Sequence, residues 1–386
     1  MIQSPKQSQK HLQTKSPSTQ FSGTSPQLTV DLGALVSNFN TLRNAAQQSG
    51  STCAGVLKAN SYGMGYERVA EALWAEGCKT FFVALVGEGV KLRALFSKAT
   101  IYVLSPYLSL DADLLREHHL IPCLYDLDGI DLWIAANAPP APAALHFETG
   151  INRLGLSTQD LEQLLSNRSR LNKLDLKLIM SHLSSADEQH SEHNQQQLEA
   201  FKRIRNEFPN TPASLANTAG IFLGTEYHFD LTRPGIGLYG HDPHYYENQG
   251  SRLKPVATFA APLAQVKDLK AGEAVGYGAT ELDRDSTIGV ILCGYADGVM
   301  RALFKPDSKE GHQVSINGYK APILGRVSMD MITIDLTAVP KEARTIGSMV
   351  EIFGNHSPVE NAAAMAGTSA YELFTRVSGR AVRKYV

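Results

Sequence analysis

From Leu28 onward, apolar runs of strand length alternate with stretches in which apolar residues recur at helical spacing. The runs Ala54 to Ala59, Thr80 to Leu85, Thr100 to Leu104, Ile121 to Tyr125, Ala143 to Phe147, Lys177 to His182, Ser214 to Ala216 and Phe229 to Arg233 predict eight strands. Between strands, Glu67 to Glu76 sets Val69, Ala70, Leu73 and Trp74 on one helical face, with Gly77 as a stop signal. Regular alternation of strand and crossover predicts an α/β fold, an eight-stranded parallel (β/α)8 barrel. The polar stretch Tyr245 to Lys254 closes this pattern. Beyond it, Ala257 to Val266, Ser286 to Cys293, Gln313 to Ile316 and Met331 to Leu336 read as short strands joined by Gly and Asn turns, with little helix. The expected division is a disordered tail over 1–26, a barrel over 27–250 and a mostly β C-terminal domain over 251–386.

Composition narrows the class of partner. Among 386 residues, 36 Lys+Arg against 38 Asp+Glu leave a formal charge of −2, so no summed positive field attracts nucleic acid or anionic membrane. A hydrophobic share of 43% with 19% charged residues is too apolar for a disordered chain. No apolar run reaches the roughly 18 residues of a membrane span. Cys53, Cys78, Cys123 and Cys293 are widely spaced, as expected of reduced cytoplasmic thiols rather than a disulfide framework or a zinc site. The tail carries Lys6, Lys10 and Lys15, no acid and no apolar signal region, which gives it no address.

In a parallel barrel, functional groups sit where strands end and loops begin. The first strand ends at Lys58, followed by Ala59-Asn60-Ser61-Tyr62-Gly63-Met64-Gly65. A partly desolvated lysine there has a lowered pKa and can attack an aldehyde to form a Schiff base, although lysines at loop edges are more often merely solvated. Later strand ends supply Glu148 to Gly155 with Arg153, then His182, then Asn217 and Thr218, then Arg233 to Gly240. A lysine, a histidine, two arginines, a hydroxyl and glycine-lined turns suit an anionic cofactor with an electrophilic carbon.

Two motifs invite other readings. Gly235, Gly237 and Gly240 spell a dinucleotide fingerprint, but the residues that follow offer neither the helix nor the acid it needs. Glu188, His190, Glu192 and His193 suggest a metal, yet polar residues opening a helix explain them more simply, and no metal is expected. In the second domain, Tyr277, Tyr295, Met329 and Asp330 lie in glycine-rich or polar turns among which the residues alone do not choose.

Taken together, these motifs resemble the pyridoxal-phosphate-dependent alanine racemases, in the family's order from about Thr29 to Tyr385. The resemblance implies pyridoxal 5'-phosphate as cofactor, interconversion of L- and D-alanine, and a homodimer whose active sites take residues from both chains. By that resemblance Lys58 holds the cofactor as a Schiff base and is one acid/base, and Tyr277 is the other. Tyr62 and Tyr371 contact the phosphate, and Gly235 and Ile236 offer it backbone N–H groups. Arg153 contacts the cofactor's phenolic oxygen and the substrate carboxylate, and His182 lies beside the ring. Asn217 and Thr218 line the cofactor, and Arg233 faces the pyridine nitrogen. Met329 touches substrate, while Tyr295, Asp330 and Tyr371 gate the channel.

The sequence departs from the family at His146, where a carbamylated lysine often steadies Arg153, and at Glu148, usually aspartate. A histidine cannot supply the same negative charge, so a bound anion or another hydrogen bond is expected to hold Arg153. A non-catalytic pyridoxal-phosphate carrier would lack residues 251–386. A barrel-type decarboxylase would want an acid at the ring nitrogen and a cysteine near Tyr277 or Met329. A broader-specificity amino-acid racemase shares the lysine and tyrosine.

Overall fold

The computed structural model describes residues 25–106 and 108–386, so the tail expected to be disordered lies, up to residue 24, outside the described residues. Seven parallel strands form one sheet in chain order: Gly55–Val56, Thr80–Val83, Thr100–Val103, Ile121–Leu124, Ala141–His146, Leu174–Met180 and Ala213–Ser214. A separate parallel pair joins Leu231–Thr232 to Thr52–Cys53. The expected single run of eight strands is therefore a sheet of seven beside this pair. The difference arises at the first strand, which is interrupted at Ala54 and ends at Val56 rather than Ala59, because the chain turns helically from Lys58. Around Leu231–Thr232, Ala54 and Val56 N–H donate to the Thr232 and Pro234 carbonyls at 3.0 and 3.1 Å. On its other side, Asp230 and Arg233 N–H donate to the Ala213 and Ala216 carbonyls at 3.0 and 2.9 Å.

The helices follow the predicted faces. Tyr66–Ala75 buries Val69, Ala70 and Leu73 against the strands, and its apolar spacing is what predicted it. Leu32–Gln47 is capped by Asp31, whose carboxylate accepts from Ala34 N–H at 2.8 Å, and it buries Leu35, Phe39, Leu42 and Ala46 along one stripe. The buried Asn38 amide on this helix exchanges two hydrogen bonds of 2.8 Å with the backbone of Lys254. One side chain thus pins the connection between the two halves of the chain to the barrel's first helix.

The C-terminal half is built on a second, eight-stranded sheet whose spine is Ala257–Leu269. Gln27–Val30 belongs to this sheet, antiparallel to the spine and parallel to Val382–Tyr385. The expected barrel segment from residue 27 thus begins with a strand that pairs outside the barrel. Its alternating burial, with Leu28 and Val30 inward, suits a sheet with one face covered. Two helices beyond the expected β pattern, Val359–Ala366 and Ala370–Arg376, also appear. The second helix and the last strand reach the loop after Lys58: Arg383 Nε donates to the Gly63 carbonyl at 2.7 Å and Tyr385 Oη to the Met64 carbonyl at 3.0 Å.

Because Leu28 is fully buried between these strands, Leu28→Ala is expected to cost about 2–5 kcal/mol of stability. Denaturant unfolding checks this, and an unchanged midpoint would contradict the role of the N-terminal strand.

Candidate active site

Lys58 opens a turn of the wrong hand. Ala59, Asn60, Ser61 and Tyr62 all have φ between 53 and 55°, a run of four left-handed residues none of which is glycine. Each such residue costs roughly 1–2 kcal/mol, so the surroundings must over-determine the turn. Ser61 N–H donates to the Leu57 carbonyl and Gly63 N–H to that of Ala59, both at 2.9 Å. Gly63 ends the turn at φ 85°, where a Cβ would strike the Phe374 carbonyl. The Lys58 amine is thereby presented, half-buried, at the barrel mouth. Burial, and then the charge of Arg153, lower its pKa, while Glu88 opposes them.

Beneath the lysine lies a cleft of about 490 Å³ of open space, lined by Lys58, Tyr62, His182, Asn217, Thr218, Arg233, Gly235, Ile236 and Tyr371 together with Val56, Phe82 and Leu104. Nine of the residues singled out from sequence therefore meet. Arg233 is buried among strand ends, donating to Ser214 Oγ, to the Ser181 carbonyl at 2.5 Å and to the Leu215 carbonyl at 3.5 Å. The Phe82 ring lies 5.7 Å from its guanidinium carbon. Burial lowers its pKa only to about 10, so it remains a cation at neutral pH.

Burial and that cation together decide the state of the histidines. Burial, then Arg233, Arg153 and Lys58, push His182 well below its usual value, so it is neutral. His146 follows, lowered to about 4 by burial and then by Arg233 and Arg153. It is buried, and neither of its ring nitrogens has a hydrogen-bond partner among the described residues. His146 therefore does not hold Arg153 by a hydrogen bond. Arg153 is exposed on a loop that Glu148 organises, accepting from Gly150 N–H at 2.5 Å and Arg153 N–H at 3.3 Å.

The glycine turn is shaped for close approach. A Cβ on Gly235 would collide with the Tyr62 hydroxyl, and one on Gly237 with the Thr218 methyl. Thr218 Oγ1 accepts from both Gly235 and Gly237 N–H at 3.1 Å, so the Gly235 donor expected to face a phosphate is engaged with threonine. Asn217 caps the helix Thr218–Leu223 by accepting from Gly220 N–H at 2.9 Å. Tyr62 is buried between Tyr239 and Tyr371, at ring separations of 4.8 and 6.1 Å. Ile236–Tyr239 is a short 3-10 turn rather than the helix a dinucleotide fingerprint requires. His193 hydrogen-bonds the Gly150 carbonyl at 3.1 Å and so supports the Glu148 loop.

The remaining expected residues do not line the cleft. Tyr277, Tyr295 and Met329 are exposed on the C-terminal half, Tyr277 to 72%. Asp330 accepts from Arg380 at 2.8 Å. Sequence reasoning missed Phe82, Leu104 and Glu88: two are apolar wall residues, and Glu88 lies in a helix, not at a strand end.

The depressed His146 sets a pH window. In the unfolded chain it binds a proton near pH 6.5, in the fold only near 4, so its stabilising share is full above 6.5 and is lost as pH falls toward 4. His146→Phe is expected to lose up to about 3 kcal/mol less stability than wild type between pH 7 and pH 4. Denaturant titrations at the two pH values measure it, and equal losses would refute the assignment.

Comparison with known proteins agrees over both halves of the chain. The family described as "Alanine racemase, N-terminal domain" matches residues 30–243, and "Alanine racemase, C-terminal domain" matches 256–385. An alanine racemase of Rickettsia canadensis is 41% identical over 363 residues, covering 93% of this chain and 98% of its own. The biosynthetic alanine racemase of Agrobacterium fabrum is 38% identical over 368 residues, covering 93% of each chain. Among solved structures, the alanine racemase of Bartonella henselae with covalently bound pyridoxal phosphate superposes with a TM-score of 0.86 at 35% identity, over 94% of this chain and 99% of that one. With a buried arginine, a neutral histidine and a lysine of lowered pKa meeting in one cleft, and family matches over both halves of the chain, this chain belongs to the alanine racemase family.

Proposed function

We propose that this chain is an isomerase that interconverts L- and D-alanine with pyridoxal 5'-phosphate, using Lys58 and Tyr277 of the partner subunit as its two acid/base groups. The observation that carries the reading is the cleft itself, where an amine of lowered pKa stands over a buried cation and a neutral imidazole. The residues present fit the cofactor: the amine suits its aldehyde, and the missing Cβ at Gly235 lets the Tyr62 hydroxyl stand against the glycine turn, where it would meet the phosphate. When bound, pyridoxal phosphate supplies an electron-withdrawing ring that lets the α-proton of alanine leave.

The chain's own residues then do the following. Lys58 gives up its proton more readily than a solvated lysine because burial and Arg153 disfavour its charged form. Arg233 faces the ring nitrogen and keeps its own proton there, which leaves the ring a weaker electron sink than a carboxylate partner would and limits side reactions. His182, held neutral, contributes a hydrogen-bonding edge without a second positive charge. Arg153 binds the substrate carboxylate, and Met329 touches the substrate. Tyr62, Tyr371 and the Ile236 backbone hold the phosphate, the Gly235 N–H joining them only on leaving Thr218 Oγ1, and Asn217 and Thr218 line the cofactor's flank. Tyr295, Asp330 and Tyr371 gate the channel. Lys58 takes the proton from D-alanine and the partner subunit's Tyr277 from L-alanine, on opposite faces.

Several finer points belong to the same reading. Backbone bonds on both sides of Leu231–Thr232 support a barrel of eight strands closed on itself. The division is a barrel to about residue 250 and a β domain beyond it that borrows Gln27–Val30. Four free cysteines suit the cytoplasm, where the D-alanine product would feed cell-wall peptidoglycan. No described helix is long and apolar enough to cross a membrane.

Loss of optical rotation over a panel of L-amino acids tests the substrate: L-alanine should fall fastest, and an L-alanine solution left unchanged by cofactor-loaded protein would end the reading. Equal rates on larger amino acids would make it a broader racemase. Tyr277→Phe should lower the rate by about 10²–10⁴-fold while the cofactor stays bound. Mixing Lys58→Ala with Tyr277→Phe chains should restore about one quarter of wild-type activity if sites are shared across a two-fold dimer, and none if each chain is self-sufficient.

A further inference from the structure

We infer that Glu88 is a positioning residue for Lys58, fixing the peptide that follows the lysine and placing a negative charge toward its amine. The inference deepens the proposed function and rests on it for the role of Lys58. Glu88 is the third residue of helix Val86–Leu95, and its Oε2 accepts from Ala84 N–H at 2.8 Å and Leu85 N–H at 3.1 Å. Those two bonds are ordinary helix capping and need nothing beyond the helix. Oε1 does something different: it reaches 29 positions back along the chain to accept from Ala59 N–H at 2.7 Å.

Ala59 is the first residue of the left-handed run. The opening N–H groups of a helical turn have no partner within it. Here Ser61 and Gly63 N–H close the turn on Leu57 and Ala59, and the donor at its start is met by Glu88. The Lys58–Ala59 peptide is therefore clamped between the first strand's end and the neighbouring helix. Its plane sets the direction in which the Lys58 side chain leaves the backbone. Phe82 O, which accepts from Leu57 N–H at 2.9 Å, and Glu88 follow one another on the adjacent strand and helix, so both sides of the lysine are tied to one βα unit.

The charges around Lys58 come from every neighbouring element. Arg153 lies on the Glu148 loop, Arg233 and neutral His182 at later strand ends, and Tyr62 and Tyr371 at the cleft wall. Against burial and Arg153, Glu88 supplies the opposing negative field that keeps the amine able to hold a proton. A group that must both give and take a proton needs its affinity bounded from both directions.

Two variants of the full-length, cofactor-loaded protein separate positioning from capping. Glu88→Asp keeps a carboxylate able to accept from Ala84 and Leu85 but is one methylene too short to reach Ala59. Glu88→Gln keeps the length and loses the charge, with one oxygen left to accept either from Ala59 or from the cap. The expected result is that Glu88→Asp unfolds at the wild-type temperature yet loses kcat about tenfold at unchanged KM. In Glu88→Gln the acid limb of the kcat profile for D-alanine moves down by about one pH unit. The pH midpoint of the absorbance of the lysine-linked cofactor should move in the same direction, a readout independent of turnover. Wild-type kcat in Glu88→Asp together with an unmoved pH midpoint in Glu88→Gln would overturn the inference and leave Glu88 a helix cap. Should wild type leave alanine unchanged, the proposed function fails, and the absorbance midpoint alone decides whether Glu88 acts on Lys58.

Discussion

The guanidinium of Arg233 carries its charge inside the barrel mouth, where an unsatisfied cation would cost several kcal/mol. It is tolerated because strands running in parallel deliver their ends to one face. Ser181 and Leu215 offer carbonyls there, Ser214 a hydroxyl, and Phe82 the face of a ring. Once a permanent cation is fixed at that point, its neighbours have little freedom. His182 and His146 are denied a second positive charge, and the cleft carries a neutral imidazole on one side and a reluctant ammonium on the other. The acid/base character of the site follows from burial first, with Arg233 reinforcing it at the histidines and Arg153 at Lys58.

Strand ends and glycine turns were legible in the sequence because they combine two signals, a change of hydrophobic period and residues of special chemistry. Lys58, His182, Arg233 and the Gly235 turn all carry both, and all line the cleft. Glu88 carries neither, since a glutamate at the third position of a helix is ordinary and its bond to Ala59 spans two separate elements. Phe82 and Leu104 are hidden differently: an apolar residue at the end of a buried strand looks the same whether it faces the core or a ligand. The pairing of Gln27–Val30 was also invisible, because alternation specifies a half-covered strand without saying which sheet covers it. Strands of two residues, as at Thr52–Cys53 and Leu231–Thr232, fall below the length at which any period can be counted.

The left-handed turn shows why the second domain cannot be a mere appendage. Four strained residues cost roughly 1–2 kcal/mol each, which the Asn60 bond to Tyr66 N–H and the buried Tyr62 ring offset only in part. Support comes from outside it. Glu88 holds the start, and the C-terminal half holds the finish, where Arg383 takes the Gly63 carbonyl, Tyr385 that of Met64, and Phe374 leaves no room for a Cβ at Gly63. Tyr371, from the same helix as Phe374, continues into the cleft wall beside Tyr62. The domain whose sheet contains the first and last described strands thus also sets the conformation next to the reactive amine.

A racemase must reach one carbon from two opposite faces, and a barrel is poorly built for that. Its strand ends all open toward one side, so the groups around Lys58 approach a bound ring from the same wall. A second acid/base drawn from another copy, as proposed above, would not share that limit. Tyr277 does not line its own chain's cleft: it stands 72% exposed on the C-terminal half, with Met329 at 52% and Tyr295 at 39%. An apolar and aromatic surface left in water is costly to keep unless another surface covers it. A second copy that brought its Tyr277 over the Lys58 cleft would bury that surface and complete the chemistry in one step, because opposite faces then belong to opposite subunits.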